Sequence, residues 1–189
     1  MLWAVLAIQS FAFLETIRQI GLLRKQVGPY QGASLVPTKI DMGAPVAQLA
    51  AVDVAGTRPV TWADYLRNDF GLVLFLSTHC ATCRDIAEDV AALARELQGD
   101  ADVIAVLEGR ADEAREFVAQ TRLPRELVAI DEQGATSKEL GIGWTPAALT
   151  IRAEKLGSAA VVNDIYQVDA FVTEELGKER SGLVASTQR

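Results

Sequence analysis

Two cysteines and one histidine are the whole thiol and imidazole content of this 189-residue chain. All three lie in Phe75–Val90, FLSTHCATCRDIAEDV. Cys80 and Cys83 are separated by two residues, and His79 precedes the first. Such a pair can close a disulfide, hold a metal or sit inert in a core. A structural zinc site needs four ligands, usually two C-x-x-C pairs or one pair with two histidines. The chain has no further cysteine, and His79 is too close to Cys80 to complete a site, so no metal is expected. A secreted scaffold stapled by disulfides would carry many scattered cysteines. Redox chemistry therefore outweighs both the zinc reading and the inert pair.

The surrounding pattern says what must position the thiols. Leu72 to Ser77 is a continuous apolar run, as in a strand buried on both faces. From Arg84 onward, Ile86, Val90, Leu93, Ala94 and Leu97 recur at helical spacing, and Gly99 ends the helix. Cys80 then falls in the turn after a buried strand, at the mouth of a helix. Free N–H groups and a partial positive charge gather there and stabilise a thiolate. Cys83 follows one turn along on the same side, within disulfide reach. In this reading Cys80 attacks a client disulfide and Cys83 resolves the mixed disulfide.

The rest of the chain alternates. Short extended pieces are expected in QLAAVDVAG and TRPV, and a short helix in TWADYL with Thr61 as cap. A buried strand follows in DVIAVLE, a helix in ADEAREFVAQT and a strand in LVAI. TSKELGI reads as a short helix capped by Thr136 or Ser137. WTPAALTI and SAAVV form a late hairpin between Ala147 and Val162, and QVDAFVTEEL is the last helix. The globular domain is expected over 43–176, after a Gly- and Pro-containing linker at 27–42. A flexible polar tail is expected at 177–189.

Residues 1–26 are apolar from Leu2 to Leu14 except for Gln9 and Ser10, and then carry Glu15, Arg18, Arg24 and Lys25. A spanning helix wants about 20 mostly apolar residues. The segment reads as an N-terminal membrane-anchor helix, with an interfacial helix or a helix packed on a partner as alternatives. The basic residues that follow the apolar run favour a cytoplasmic domain by the positive-inside tendency. The net charge of −7 and the lack of a basic stripe argue against nucleic-acid binding.

FLSTHCATC, GIGWTPAALTI and the strand–helix order together resemble the thioredoxin fold, in its TlpA-like membrane-tethered branch. RQIGLLRKQVGP with the linker, and Ser-x-x-Cys-x-x-Cys in place of Trp-Cys-Gly-Pro-Cys, are similar to the methylamine-utilisation (MauD-like) group. The resemblance implies an α/β thioredoxin-like fold, a central mixed sheet flanked by helices. It makes Cys80 the nucleophile and Cys83 the resolving thiol. It makes Thr145-Pro146 the cis-proline dipeptide that faces the disulfide and presents its backbone to an extended client. It implies no cofactor, a disulfide-bearing protein client such as the small subunit of methylamine dehydrogenase, and an integral-membrane redox partner. It places the redox domain outside the cytoplasm, where disulfide traffic has a purpose. We take that side as the expectation against the charge rule.

The departures are specific. Leu74 stands where thioredoxin has a buried Asp, and Ile86 where some tethered reductases have a Glu. No proton-handling acid is identified, and Glu108 reads as a solvated strand-end carboxylate. Ala81-Thr82 between the cysteines is neither Gly-Pro nor Pro-His. Thioredoxin-like scaffolds span roughly −270 to −120 mV, which leaves oxidant against reductant open. His79 is a candidate modulator of Cys80 when protonated. A peroxide-reducing site would need a Pro and a Thr where Val73 and Ser77 stand. A copper carrier would need a wider cysteine pair and a downstream His. The competing class is a non-enzymatic module that holds a client at the membrane.

Overall fold

The protein is described here from a computed structural model that covers residues 40–187. The expected anchor helix over 1–26 and most of the expected linker fall outside the described residues. Among the described residues, no helix is long and apolar enough to cross a membrane.

Seven strands form one sheet: β1 (Ala51–Val52), β2 (Pro59–Val60), β3 (Phe70–Ser77), β4 (Asp102–Glu108), β5 (Val128–Asp131), β6 (Ala147–Arg152) and β7 (Lys155–Val161). Their order is β2-β1-β5-β4-β3-β6-β7. β3, β4 and β5 run parallel, while β1, β6 and β7 pair antiparallel with their neighbours. The helices are α1 (Ala81–Glu96), α2 (Ala111–Thr121), α3 (Ala135–Glu139) and α4 (Ile165–Thr187).

Alternation along β3 explains the layering. Leu72, Leu74 and Leu76 enter a core with Ile86 and Val90 of α1, Phe117 of α2 and Val168 and Val172 of α4. Val73 and Phe75 enter a second core on the opposite face, with Leu140, Ile142, Trp62 and Leu66. Side chains of a strand point alternately to the two faces. An unbroken apolar run is what a strand covered on both faces requires. Ile40 packs against that second core too, a few residues before the expected domain start.

Two expectations need correction. The short helix α3 is not capped by Thr136 or Ser137, which lie inside it. Asp131, at the end of β5, accepts the N–H groups of Ala135, Thr136 and Ser137 at 2.8, 2.9 and 3.3 Å. The Thr136 hydroxyl instead accepts the Ala50 N–H at 3.0 Å and ties α3 to β1. The last helix does not end at Leu176. It runs through Gly177 to Thr187, because one exposed glycine costs a helix only about 1 kcal/mol.

Candidate active site

β3, β4 and β5 are parallel, so their C-terminal ends lie along one side of the sheet. β3 leads into Thr78, His79 and Cys80, β4 into Gly109 and Arg110, and β5 into Glu132 to Gly134. The first junction is tied down locally. Cys80 N–H donates to Ser77 O at 3.2 Å, and Thr78 N–H to Glu108 O at 3.1 Å. Gly109 has φ of +152°, and a Cβ there would collide with the Thr78 hydroxyl. That close approach presses the β4–α2 turn against the thiol loop. The Thr78 hydroxyl is buried there with no hydrogen-bond partner.

Cys80 is the N-cap residue of α1, with extended backbone. Its Sγ accepts the Cys83 N–H at 3.2 Å. It also lies 3.8 Å from the Thr145 carbonyl oxygen, to which its thiol donates. Cys80 is half-buried and Cys83 wholly buried, and both are free thiols. The contrast follows from α1: its first turn opens at the surface, and its third residue already faces the core beside Ile86 and Ala87. Burial, and then the hydrogen bond with Cys80, push the Cys83 thiol up to about 12. A Ser77 backbone hydrogen bond and the Thr145 hydroxyl act in the opposite sense.

The Thr145–Pro146 bond is cis. Pro146 is buried and its carbonyl accepts the Val162 N–H at 3.3 Å, so the start of β6 is held in place beside Cys80. The sequence motifs, 65 residues apart, therefore meet in space. Trp144, just before Thr145 in the chain, is 57% exposed.

His79 points elsewhere. Its Nε2 lies 3.4 Å from Glu113 Oε2, in the first turn of α2, and both side chains reach solvent. Glu113 also accepts the Arg110 N–H at 3.3 Å, so one carboxylate serves the helix start and the imidazole. Nothing in the sequence singled out Glu113 beyond its place as an acid in a first helical turn. Glu108 is exposed, with its carboxylate over Gly134 at the start of α3. The positions of Leu74 and Ile86 are apolar and fully enclosed. Among the described residues, no three His, Cys, Asp or Glu side chains converge as a metal site.

A mixed sheet with α1, α2 and α4 on one face, a C-x-x-C where β3 meets α1 and a facing cis-proline define a thioredoxin-like α/β fold. The chain belongs to the AhpC/TSA family, whose model matches residues 42–160. No curated protein sequence matches the chain. Among solved structures, it is similar to a candidate thiol:disulfide interchange protein DsbE from Chlorobium tepidum. The TM-score is 0.62 and the identity 22%, over 74% of this chain and 98% of that one. It is also similar to the thioredoxin domain of a thiol-disulfide oxidoreductase from Bacteroides vulgatus, with TM-score 0.57 and 16% identity over 71% and 99%. A third is a secreted Mycobacterium tuberculosis disulfide oxidoreductase homologous to E. coli DsbE, with TM-score 0.50 and 20% identity over 62% and 84%. At these identities the likeness is one of fold.

Proposed function

We propose that the protein is a thiol–disulfide oxidoreductase in which Cys80 is the nucleophile and Cys83 the resolving thiol. The observation that carries this reading is the asymmetry of the pair. One thiol sits at a helix mouth within reach of solvent, and its partner is enclosed three residues away. Reactive cysteines occupy partly exposed, electropositive places, and buried ones wait. Cys80 attacks a client disulfide, the client's first sulfur leaves as a thiolate, and Cys83 displaces the second. Two electrons pass from the dithiol to the client, and the reverse sequence oxidises a client dithiol. The Thr145 backbone lies beside the attacked sulfur, where an extended client strand can pair with it.

Family membership leaves the chemistry to the site. Val73 is enclosed in the sheet and Ser77 ends β3, where a peroxide-reducing site needs Pro and Thr. We further propose that the domain is tethered by residues 1–26 and works on the extracytoplasmic side of the membrane. Its client would be an exported, disulfide-rich subunit, of the methylamine dehydrogenase small-subunit kind. A membrane protein would exchange electrons with it. The basis for these finer points is the sequence resemblance to the MauD-like group.

The test is a trap. Cys83→Ser should leave the client joined to Cys80 as a stable mixed disulfide, released by reductant and identified by mass spectrometry. Absence of any mixed disulfide, together with no turnover of an insulin-like disulfide by the unaltered protein, overturns the enzyme reading in favour of a holding module.

A further inference from the structure

β7 is the last strand of the sheet, so one of its edges has no strand beside it. The first half of that edge is covered by the chain that leads into the domain. Gly43 N–H donates to Leu156 O at 2.7 Å, Leu156 N–H to Ala44 O at 2.9 Å and Val46 N–H to Glu154 O at 2.9 Å. The bridge between Pro45 and Lys155 is antiparallel. The second half differs. Ala147 stands opposite Val161, and Val162 N–H donates to Pro146 O. Positions in an antiparallel ladder alternate between bonded and unbonded pairs. The backbone groups of Ala159 and Val161 therefore face away from β6. Among the described residues, no backbone group takes them. An open edge of this kind is a template for another strand.

The same end of β7 borders an apolar cleft. Ile142, Trp144, Ala147, Ala159 and Val161 line it, together with Ile40. Ile40 is the first described residue, and it packs on the core of this face. Followed backward from Pro45, the chain has passed from the start of β7 to the cleft at its end. The residues before Ile40 leave from there. They are 34–39, SLVPTK, with Leu35 and Val36 as an apolar pair. Pro37 biases the residue before it toward extended backbone, and its missing N–H is tolerated on a sheet edge. Five residues back from Ile40 reach at most about 17 Å, and Ala159 to Val161 spans about 7 Å. Covalent attachment gives the segment an effective concentration of about millimolar. A second copy of the chain at ordinary concentration competes poorly with that.

We propose that residues 34–39 dock on the open half of β7, with Leu35 and Val36 in the cleft beside Trp144, and that a client strand must displace them. The docking stands on the edge, the cleft and the path of the chain. The competition rests on the oxidoreductase reading above. Trp144 and Ala147 flank Thr145-Pro146 in the chain, and the Thr145 carbonyl oxygen is 3.8 Å from Cys80 Sγ.

The test uses the purified full chain with Trp144 replaced by the photo-crosslinking residue p-benzoylphenylalanine. Irradiation should give an intrachain link to Leu35 or Val36, found by peptide mapping, with a yield that does not depend on protein concentration. Leu35→Asp with Val36→Asp should cut that yield about tenfold, because two apolar side chains no longer enter the cleft. These positions precede every strand of the sheet, so the variant leaves the thiol site as it is. In the chain with Trp144 intact, the same double substitution should lower KM for a short peptide disulfide about threefold with kcat unchanged, as removal of an internal competitor implies. Links confined to residue 40 onward, a link that joins two chains, or an equal yield in the Asp variant overturns the docking. Equal KM values with a lost link overturn the competition. If the unaltered protein shows no turnover of the peptide, the oxidoreductase reading fails and the competition falls with it, while the cross-link still decides the docking.

Discussion

Three helices start on the side of the sheet where β3, β4 and β5 end, and they are capped differently. At α3, the enclosed Asp131 carboxylate takes three N–H groups. At α2, Glu113 accepts the Arg110 N–H and Glu132 the Ala111 N–H at 3.0 Å. At α1, the cap position is given to a thiol that accepts one N–H at 3.2 Å. A carboxylate spends the field of a helix start on stability. A sulfur there makes a weaker bond and leaves the same field available to a nucleophile. The difference separates scaffold from chemistry within one rim of the molecule.

The largest effect should come from exchanging the α1 cap. Serine is a preferred N-cap, and cysteine is not. Cys80→Ser should abolish disulfide exchange completely while folding stability holds or rises by about 0.5 kcal/mol. Turnover of a peptide disulfide and a urea melt check the two halves. A variant that loses activity and stability together would make Cys80 a scaffold residue and erase the contrast with Asp131.

The second test concerns the pair itself. At neutral pH, iodoacetamide should modify Cys80 and leave Cys83 intact until the fold opens. Peptide mapping against time reads this, and faster modification of Cys83 would reverse the assigned roles. The pH dependence has a fixed sign. A free thiol titrates near about 8.5, and burial raises Cys83 to about 12 in the fold. Below about pH 8.5 the thiol is protonated in both states and its contribution is whole. Between there and about 12 the unfolded chain gives up the proton and the folded one keeps it, so stability falls as pH rises. Cys83→Ala should flatten that alkaline slope in denaturant titrations.

Third is the scaffold cap. Asp131→Ala removes an enclosed carboxylate with three backbone donors and leaves those N–H groups short of partners. A loss of about 2 kcal/mol is expected, with exchange by Cys80 retained, measured as a lowered denaturant midpoint. A similar midpoint for Asp131→Ala and the unaltered protein would mean that α3 is not held from β5.

What could be read from the sequence tracks how local each signal is. Apolar runs marked β3, β4 and β5, because both faces of those strands are covered. The 3.6-residue period marked α1 and α2. The C-x-x-C and Thr145-Pro146 were recognisable as motifs, and the structure brings them to 3.8 Å. The α3 cap was misplaced because its carboxylate acts across four to six residues from the preceding strand end. The last helix was cut short because Gly177 reads as a stop, while a single glycine can be carried through. The partners of His79 and Cys83 depend on side chains that only the tertiary fold brings together. The absence of the usual acids at Leu74 and Ile86 could be read directly, and both positions are enclosed hydrocarbon in the fold.

The smallest effect should come from His79, which the sequence marks as a modulator of Cys80. In the fold its imidazole is turned to Glu113 at 3.4 Å, and the two side chains are 76% and 34% exposed. A pair this open is screened by water and salt, and it contributes about 0–1 kcal/mol at most. The imidazole attracts Glu113 only when it is protonated. Its positive charge is then mostly matched by a carboxylate before it can act on Cys80. His79→Ala should shift stability by less than about 0.5 kcal/mol and change the Cys80 alkylation rate less than about threefold, the rate equivalent of the same order of energy. Rates measured at pH 5.5 and 8, at low and high salt, check this. A tenfold loss at low pH that high salt removes would restore His79 as an electrostatic partner of the nucleophile, and the α1 cap would then be assisted from α2's side of the rim.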